Sequence, residues 1–216
     1  TIPQSISNCS NLGRLNLGRN NLNSTIPDGF STLDRLGLLD LSYNYLTGQI
    51  PNGVGSMSCL IELDVGFNRL TGTIPNFLPF NYSDNRTCDS ILLTDYKTQI
   101  EDCFDLNNAF CEKKENAPGI LPRKYDPLVN HIIYEVDTIN TTGIVKFSAD
   151  QNFLNGNLQN LRNLTTLIEL SLSNNMFTST IPSFFRNMTR MNYTDLSSNM
   201  LVGTIPSDLF IDMVNL

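Results

Sequence analysis

The chain has 216 residues and a formal charge of -7, with 14 basic against 21 acidic side chains. So few basic residues, none of them clustered, exclude the phosphate-binding footprint of a nucleic-acid partner and disfavour an anionic membrane surface. No run of about 18 apolar residues is available to span a bilayer, and the first residues lack a signal peptide's basic and apolar regions, so a secreted product is expected to be cut from a longer chain.

In chain order, Thr1-Ile2-Pro3 reads as the tail of a unit that then recurs. The strings LGRLNLGRNNLNSTIP from Leu12, LGLLDLSYNYLTGQIP from Leu36 and LIELDVGFNRLTGTIP from Leu60 superpose at a spacing of 24 residues. A degenerate copy starts at Ile144, and two clear ones follow at Leu167 and Met191. Such a period announces a solenoid, in which each unit buries its apolar face only by stacking on its neighbours. Within a unit, residues such as Leu39 and Leu41 alternate as in a strand, so they point inward from a parallel sheet while Asp40 and its equivalents face out.

Asn20, Asn44, Asn68, Asn152, Asn175 and Asn199 follow the strand in each copy, where a buried amide can satisfy the backbone groups of the turn. The Ile-Pro pairs at Ile26, Ile50, Ile74, Ile181 and Ile205 predict a buried isoleucine followed by an extended turn. Gly48, Gly72, Gly156 and Gly203 supply the bend before it.

The ladder asparagines are 24, 24, 84, 23 and 24 residues apart, so the third gap holds one ordinary unit and about 60 extra residues. This predicts repeats over 1–75, an inserted segment over 76–143 and repeats over 144–216. The insertion carries 17 of the 35 charged residues, a net charge of -5, three of the five cysteines and the single histidine. Its composition is that of a separate unit. Residues 91–104 have helical apolar spacing, and the stretch from His131 alternates like a strand.

The motif LxxLxLxxNxLxGxIP, over about two thirds of the chain, resembles the plant-specific leucine-rich repeats of receptor kinases, receptor-like proteins and polygalacturonase-inhibiting proteins. The resemblance implies an α/β repeat solenoid, a right-handed superhelix with its parallel sheet on the concave face. An insertion a few repeats before the end is similar to the island domain of brassinosteroid and phytosulfokine receptors, which folds over that face and helps to form the ligand site. Its implied partners are an extracellular peptide, small-molecule or protein ligand and a co-receptor; no cofactor is implied. The resemblance also makes Cys9 and Cys59, just before repeat starts, buried free thiols. One disulfide is expected among Cys88, Cys103 and Cys111, where a small unit with little core gains most from a cross-link. No CxxC pair occurs and the histidine has no partner at ligand spacing, so no metal site is predicted.

Register places two columns on the outer face: Asn16, Asp40, Asp64, Ser148, Ser171 and Asp195, and beside them Arg19, Tyr43, Phe67, Gln151, Asn174 and Ser198. Tyr43 and Phe67 are the predicted binding anchors, since aromatic side chains are enriched among interface hot spots. Asp40, Glu62 and Asp64 are candidates to pair a basic ligand group, and Lys146 and Gln151 complete the candidate face. Eight sequons (Asn8, Asn23, Asn81, Asn85, Asn140, Asn163, Asn187 and Asn192) mark candidate glycosylation sites and an extracellular setting. Asn8, Asn163 and Asn187 are expected on the convex side, whereas Asn192 falls beside a strand.

Catalysis is not expected, because nucleophile, base and oxyanion hole do not converge anywhere in the pattern. Three binding or structural roles remain: a cell-surface receptor ectodomain, a secreted inhibitor resembling the polygalacturonase-inhibiting proteins, and an extracellular assembly component. Both ends read as interrupted repeats without polar caps. Thr25, Thr73, Thr180 and Thr204 also form a column, but Gln49 and Asn157 break it, so regular matching to ice is not expected.

Overall fold

The computed structural model describes residues 1–79, 143–207 and 209. Each predicted inward run forms a three-residue strand: β1 (Arg14–Asn16), β3 (Leu38–Asp40), β5 (Glu62–Asp64), β7 (Lys146–Ser148), β9 (Glu169–Ser171) and β11 (Tyr193–Asp195). These six pair in parallel in that order, as the alternating pattern requires. Between them the chain makes β2 (Asn23–Thr25), β4 (Tyr45–Gly48), β6 (Arg69–Gly72), β8 (Phe153–Gly156) and β10 (Met176–Phe177), which build a second parallel sheet not foreseen from the sequence. Single 3-10 turns at Gln4–Asn8, Asp28–Thr32, Asn52–Ser56, Gln159–Leu161 and Ser183–Asn187 close the coils. The helical component of the repeat is thus one short turn, and most of them start directly after the proline of an Ile-Pro pair, whose fixed φ suits that entry.

The interior is a column of equivalent slots. Leu15, Leu39, Leu63, Phe147 and Leu170 are register partners across β1, β3, β5, β7 and β9, and all are buried. The stack therefore passes from β5 straight to β7, and from β6 to β8, as though the intervening residues were absent. The chain leaves this stack under restraint. Phe77 is buried edge-on against Phe147 at 5.5 Å, and Leu78 N–H donates to the Gly55 carbonyl. A Cβ at Gly55 would run into the Asn76 carbonyl, so the close approach needs glycine there. From the next coil, Asn160 Nδ2 donates to Ile74 O and Asn163 Nδ2 to Phe77 O, each at 2.7 Å.

The asparagine ladder is the polar half of the stack. Asn68 Oδ1 accepts from Leu46 N–H of the preceding coil at 2.9 Å. Its Nδ2 donates to Leu41 O of that coil at 3.0 Å and to Val65 O and Gly66 O of its own turn, both at 3.1 Å. Asn44, Asn152, Asn175 and Asn199 repeat this set. Burial holds for Asn44, Asn68, Asn152 and Asn175 only. Asn20 is exposed and Asn199 half-buried, because neither has a described coil on both sides.

The same end effect corrects the isoleucine reading. Ile26, Ile50 and Ile74 are buried, but Ile181 is half-buried and Ile205 is 61% exposed, since no described coil stacks beyond it. Cys59 is a second correction: it is buried, as expected, yet disulfide-bonded rather than a free thiol. Cys9 is half-buried against the core. The disulfide expected among Cys88, Cys103 and Cys111, the helix over 91–104 and the strand from His131 fall outside the described residues.

The ladder gives a stability test. Asn68→Ala leaves buried backbone groups of two coils unpaired and is expected to cost about 1–3 kcal/mol. Asn20→Ala, at the exposed end, is expected to stay within about 0.5 kcal/mol. Denaturant unfolding midpoints measured for both variants check this, and equal losses would contradict the two-coil role.

Candidate functional site

The outer face of the first sheet forms an open groove of about 480 Å³, lined along its length by Asn16, Asp40, Asp64, Ser148 and Ser171 and bordered by Arg19, Tyr43 and Phe67. Of the seven residues predicted for this face, Asp40, Tyr43, Asp64, Phe67 and Lys146 line the groove together. Glu62 and Gln151 do not. Glu62 stands at the outer end of β5 as the register partner of Lys146, and Gln151 is exposed one step further along the aromatic column.

The border column has one backbone conformation throughout. Arg19, Tyr43, Phe67, Gln151, Asn174 and Ser198 all lie in the left-handed region, with φ from 51° to 56°, because the turn into the ladder asparagine demands it in each coil. Repetition then stacks whatever side chains stand there. The Tyr43 and Phe67 rings lie 4.1 Å apart and within 7° of parallel, and the Arg19 guanidinium sits 4.5 Å from the Tyr43 ring centre. Tyr43 is thus sandwiched between the preceding and following coils. Both rings remain about two-fifths exposed.

The groove floor is acidic. Asp40 was expected to face solvent or ligand, but it is 7% exposed and accepts the Ser42 N–H at 2.9 Å and the Ser42 hydroxyl at 2.6 Å. Gly18 of the preceding coil makes the room, since a Cβ there would lie 2.9 Å from Asp40 Oδ1. Asp64, its neighbour on β5, accepts the Gly66 N–H at 3.0 Å. Burial, with the Asp40 carboxylate adding to it, pushes the Asp64 pKa up to about 6 against the opposing pull of Gly66, Lys146 and Ser148. Lys146 gives Asp64 only distant relief, because its ammonium group pairs with Glu169 at 3.4 Å. The equivalent Asp195 shows the opposite shift: hydrogen bonds from Ser197 hold its carboxyl below the usual range, and its burial is slight.

Asp150 is a groove residue that the column pattern did not single out. It stands where the other coils place Gly18, Ser42, Gly66, Ser173 and Ser197, and an acid among small residues was the available signal. Its carboxylate accepts from the Ser171 hydroxyl and from both the N–H and hydroxyl of Ser173, tying β7 to the following coil. Glu169 is the other acid that sequence reasoning passed over.

Among the sequons, Asn8, Asn23, Asn187 and Asn192 are exposed. Asn8 and Asn187 end 3-10 turns, away from the groove, whereas Asn192 precedes β11. Asn163 is half-buried, with the nitrogen that would carry a glycan donating to Phe77 O. Asn81, Asn85 and Asn140 lie outside the described residues. Among the described residues, no helix is long and apolar enough to cross a membrane, and no group of three or more His, Cys, Asp or Glu is placed to hold a metal ion.

Leucine-rich-repeat family models match residues 10–70 and 166–188. No curated protein matches the sequence. Among solved structures, the chain superposes on the plant peptide hormone receptor RGFR1 in complex with RGF2, at 24% identity and a TM-score of 0.66, over 100% of this chain and 25% of the receptor chain. It also superposes on the Arabidopsis receptor kinase HAESA in complex with the peptide hormone IDA and the co-receptor SERK1, at 24% identity and 0.58, over 96% of this chain and 26% of that one. A plant ice-binding protein matches at 22% identity and 0.56, over 93% of this chain and 46% of that one. At these identities the likeness establishes the fold. The chain spans about a quarter of the length of the two receptors.

Two outcomes are expected. Because the folded Asp64 keeps its proton up to about pH 6, while an unfolded Asp releases it near pH 4, stability falls as pH rises through that window. Asp64→Asn removes this loss: its unfolding free energy should match the parent near pH 4 and exceed it by about 2 kcal/mol at pH 7.5. Parallel curves for the two proteins would contradict the assignment. Glycopeptide mapping of the secreted protein should find Asn8 and Asn187 occupied and Asn163 bare.

Proposed function

We propose that this leucine-rich-repeat solenoid is a ligand-binding ectodomain of a cell-surface receptor, recognising an extracellular peptide, small hormone or microbial pattern along the groove of its first sheet. The observation that carries the reading is the pairing, in one groove, of a half-exposed aromatic ridge with the adjacent carboxylates of Asp40 and Asp64. The fold needs neither: the fifth coil holds Ser171 and Asn174 at the same two positions and stacks equally well. Exposed aromatics beside carboxylates are instead what a binding surface uses for anchoring and orientation.

In this reading, the ring edges of Tyr43 and Phe67 pack against the ligand, and Asp40 and Asp64 receive a cationic group from it. Lys146, held by Glu169, keeps the far side of the groove from accumulating unopposed charge. In keeping with the family resemblance, the segment inserted between the third and fourth coils would act as an island over the bound ligand, and a co-receptor would then join the complex. The family resemblance and the receptor-like fold support an extracellular setting, as do the sequons.

Probing the immobilised protein with arrays of cationic, neutral and anionic dodecapeptides tests this. Cationic peptides should be retained. Tyr43→Ala and Phe67→Ala should each weaken the best binder by about tenfold or more, the usual cost of losing an aromatic hot spot. Asp64→Asn should reduce the preference for cationic over neutral peptides. Equal retention of anionic peptides, or full affinity in both alanine variants, would refute the groove as the binding surface.

A further inference from the structure

The second sheet has a face of its own, and the groove does not use it. On β4, β6 and β8 the residues run exposed, buried, exposed, and with the residue after each bend the second sheet presents three outward positions per coil. One column is mixed, with Tyr45 47%, Phe153 51% and Met200 53% exposed, and with Asn21 and Arg69 also exposed in it, the Arg69 guanidinium lying 5.1 Å from the Tyr45 ring centre. The other two columns comprise twelve exposed positions and hold no charged residue: seven threonines, three asparagines, Gln49 and Val202. In a chain of charge -7 this neutral strip is a marked local departure.

The strip is also pre-set. In the column beside the Ile-Pro turns, the methyl groups of Thr25, Thr73 and Thr180 lie against Gly48, Gly156 and Gly203 of the next coil, so close that a Cβ would stand 2.8, 3.0 and 2.9 Å from them. Each of those glycines has φ between 77° and 86°, a conformation in which the missing Cβ leaves the methyl its seat. With the methyl lodged against the neighbouring coil, the threonine rotamer is fixed before any partner arrives, which removes part of the ordering cost of binding. The column broken at Gln49 and Asn157 is therefore continuous as an array of hydrogen-bonding side chains, though not as an array of threonines.

We propose that this second-sheet face binds a linear neutral polysaccharide running along the solenoid axis. Coils repeat about every 4.8 Å along that axis, close to the length of one pyranose unit, so each coil meets one sugar. The threonine hydroxyls and asparagine amides bond the sugar hydroxyls, and Tyr45, Phe153 and Met200 flank the apolar ring surfaces. A neutral strip on an acidic protein favours an uncharged polymer and disfavours a uronate, which would meet the chain's negative field with Arg69 as the one cation among the outward positions of this face.

Native electrophoresis of the full chain through gels cast with hydroxyethyl cellulose or with polygalacturonate tests the proposal, with melting curves confirming that each variant is folded. Retardation is expected in the neutral polymer and not in the uronate. Phe153→Ala and the double variant Thr71→Asp, Thr178→Asp should each weaken the apparent affinity at least about fivefold, since aromatic packing and charge-free contact are what they remove. Ser183→Asp, which adds a charge on the helical-turn face, should leave it unchanged. No retardation, equal retardation by polygalacturonate, or retention of binding by both surface variants would overturn the assignment. Because the groove is untouched by these substitutions, this outcome is independent of the peptide-array result.

Discussion

A strand three residues long buries too little to fold by itself, and a turn whose backbone groups face the interior cannot remain unsatisfied. Both problems are solved by the same contact, the ladder asparagine that binds its own turn and the backbone of the preceding coil at once. The amide therefore fixes coil-to-coil registration as well as the turn. Leu39, Leu63, Phe147 and Leu170 then fall into equivalent slots, and every outward position becomes a member of a column. The two candidate surfaces are consequences of that registration.

Registration also explains how the chain tolerates a long insertion. Asn152 takes up the bonds to Val65 O and Leu70 N–H that an asparagine about 24 residues after Asn68 would have made. Coils three and four thus stack as immediate neighbours, with Phe77, Asn160 and Asn163 holding the point of departure. Chain length between two coils matters little to the stack, because loop closure grows only slowly with length. What matters is that the coil on each side presents its complementary edge.

The columns show how one position acquires different chemistry. Asp64 and Asp195 are equivalent in the repeat, yet their acidities shift in opposite directions. Asp64 lies deep between coils with Asp40 beside it, whereas Asp195 stands near the end of the described stack and answers mainly to Ser197. Position along the solenoid, more than residue type, sets the electrostatics. In the border column the shared left-handed turn aligns side chains face to face, so Tyr43 and Phe67 become a rigid ridge instead of two separate anchors.

The sequence by itself determined the period, the inward leucines, the ladder and the register of the outward columns, because each depends on spacing along the chain and the solenoid copies that spacing into space. Tertiary structure alone decided burial and partnership. Asp40 is sunk because Gly18 in another coil leaves it room, Ile205 is bare because nothing described stacks on it, and Cys59 is oxidised where a free thiol was expected. Asp150 and the neutral second-sheet face were likewise invisible in the pattern, since a residue's neighbours one coil away are some 24 positions distant in sequence and only the stack brings them within reach.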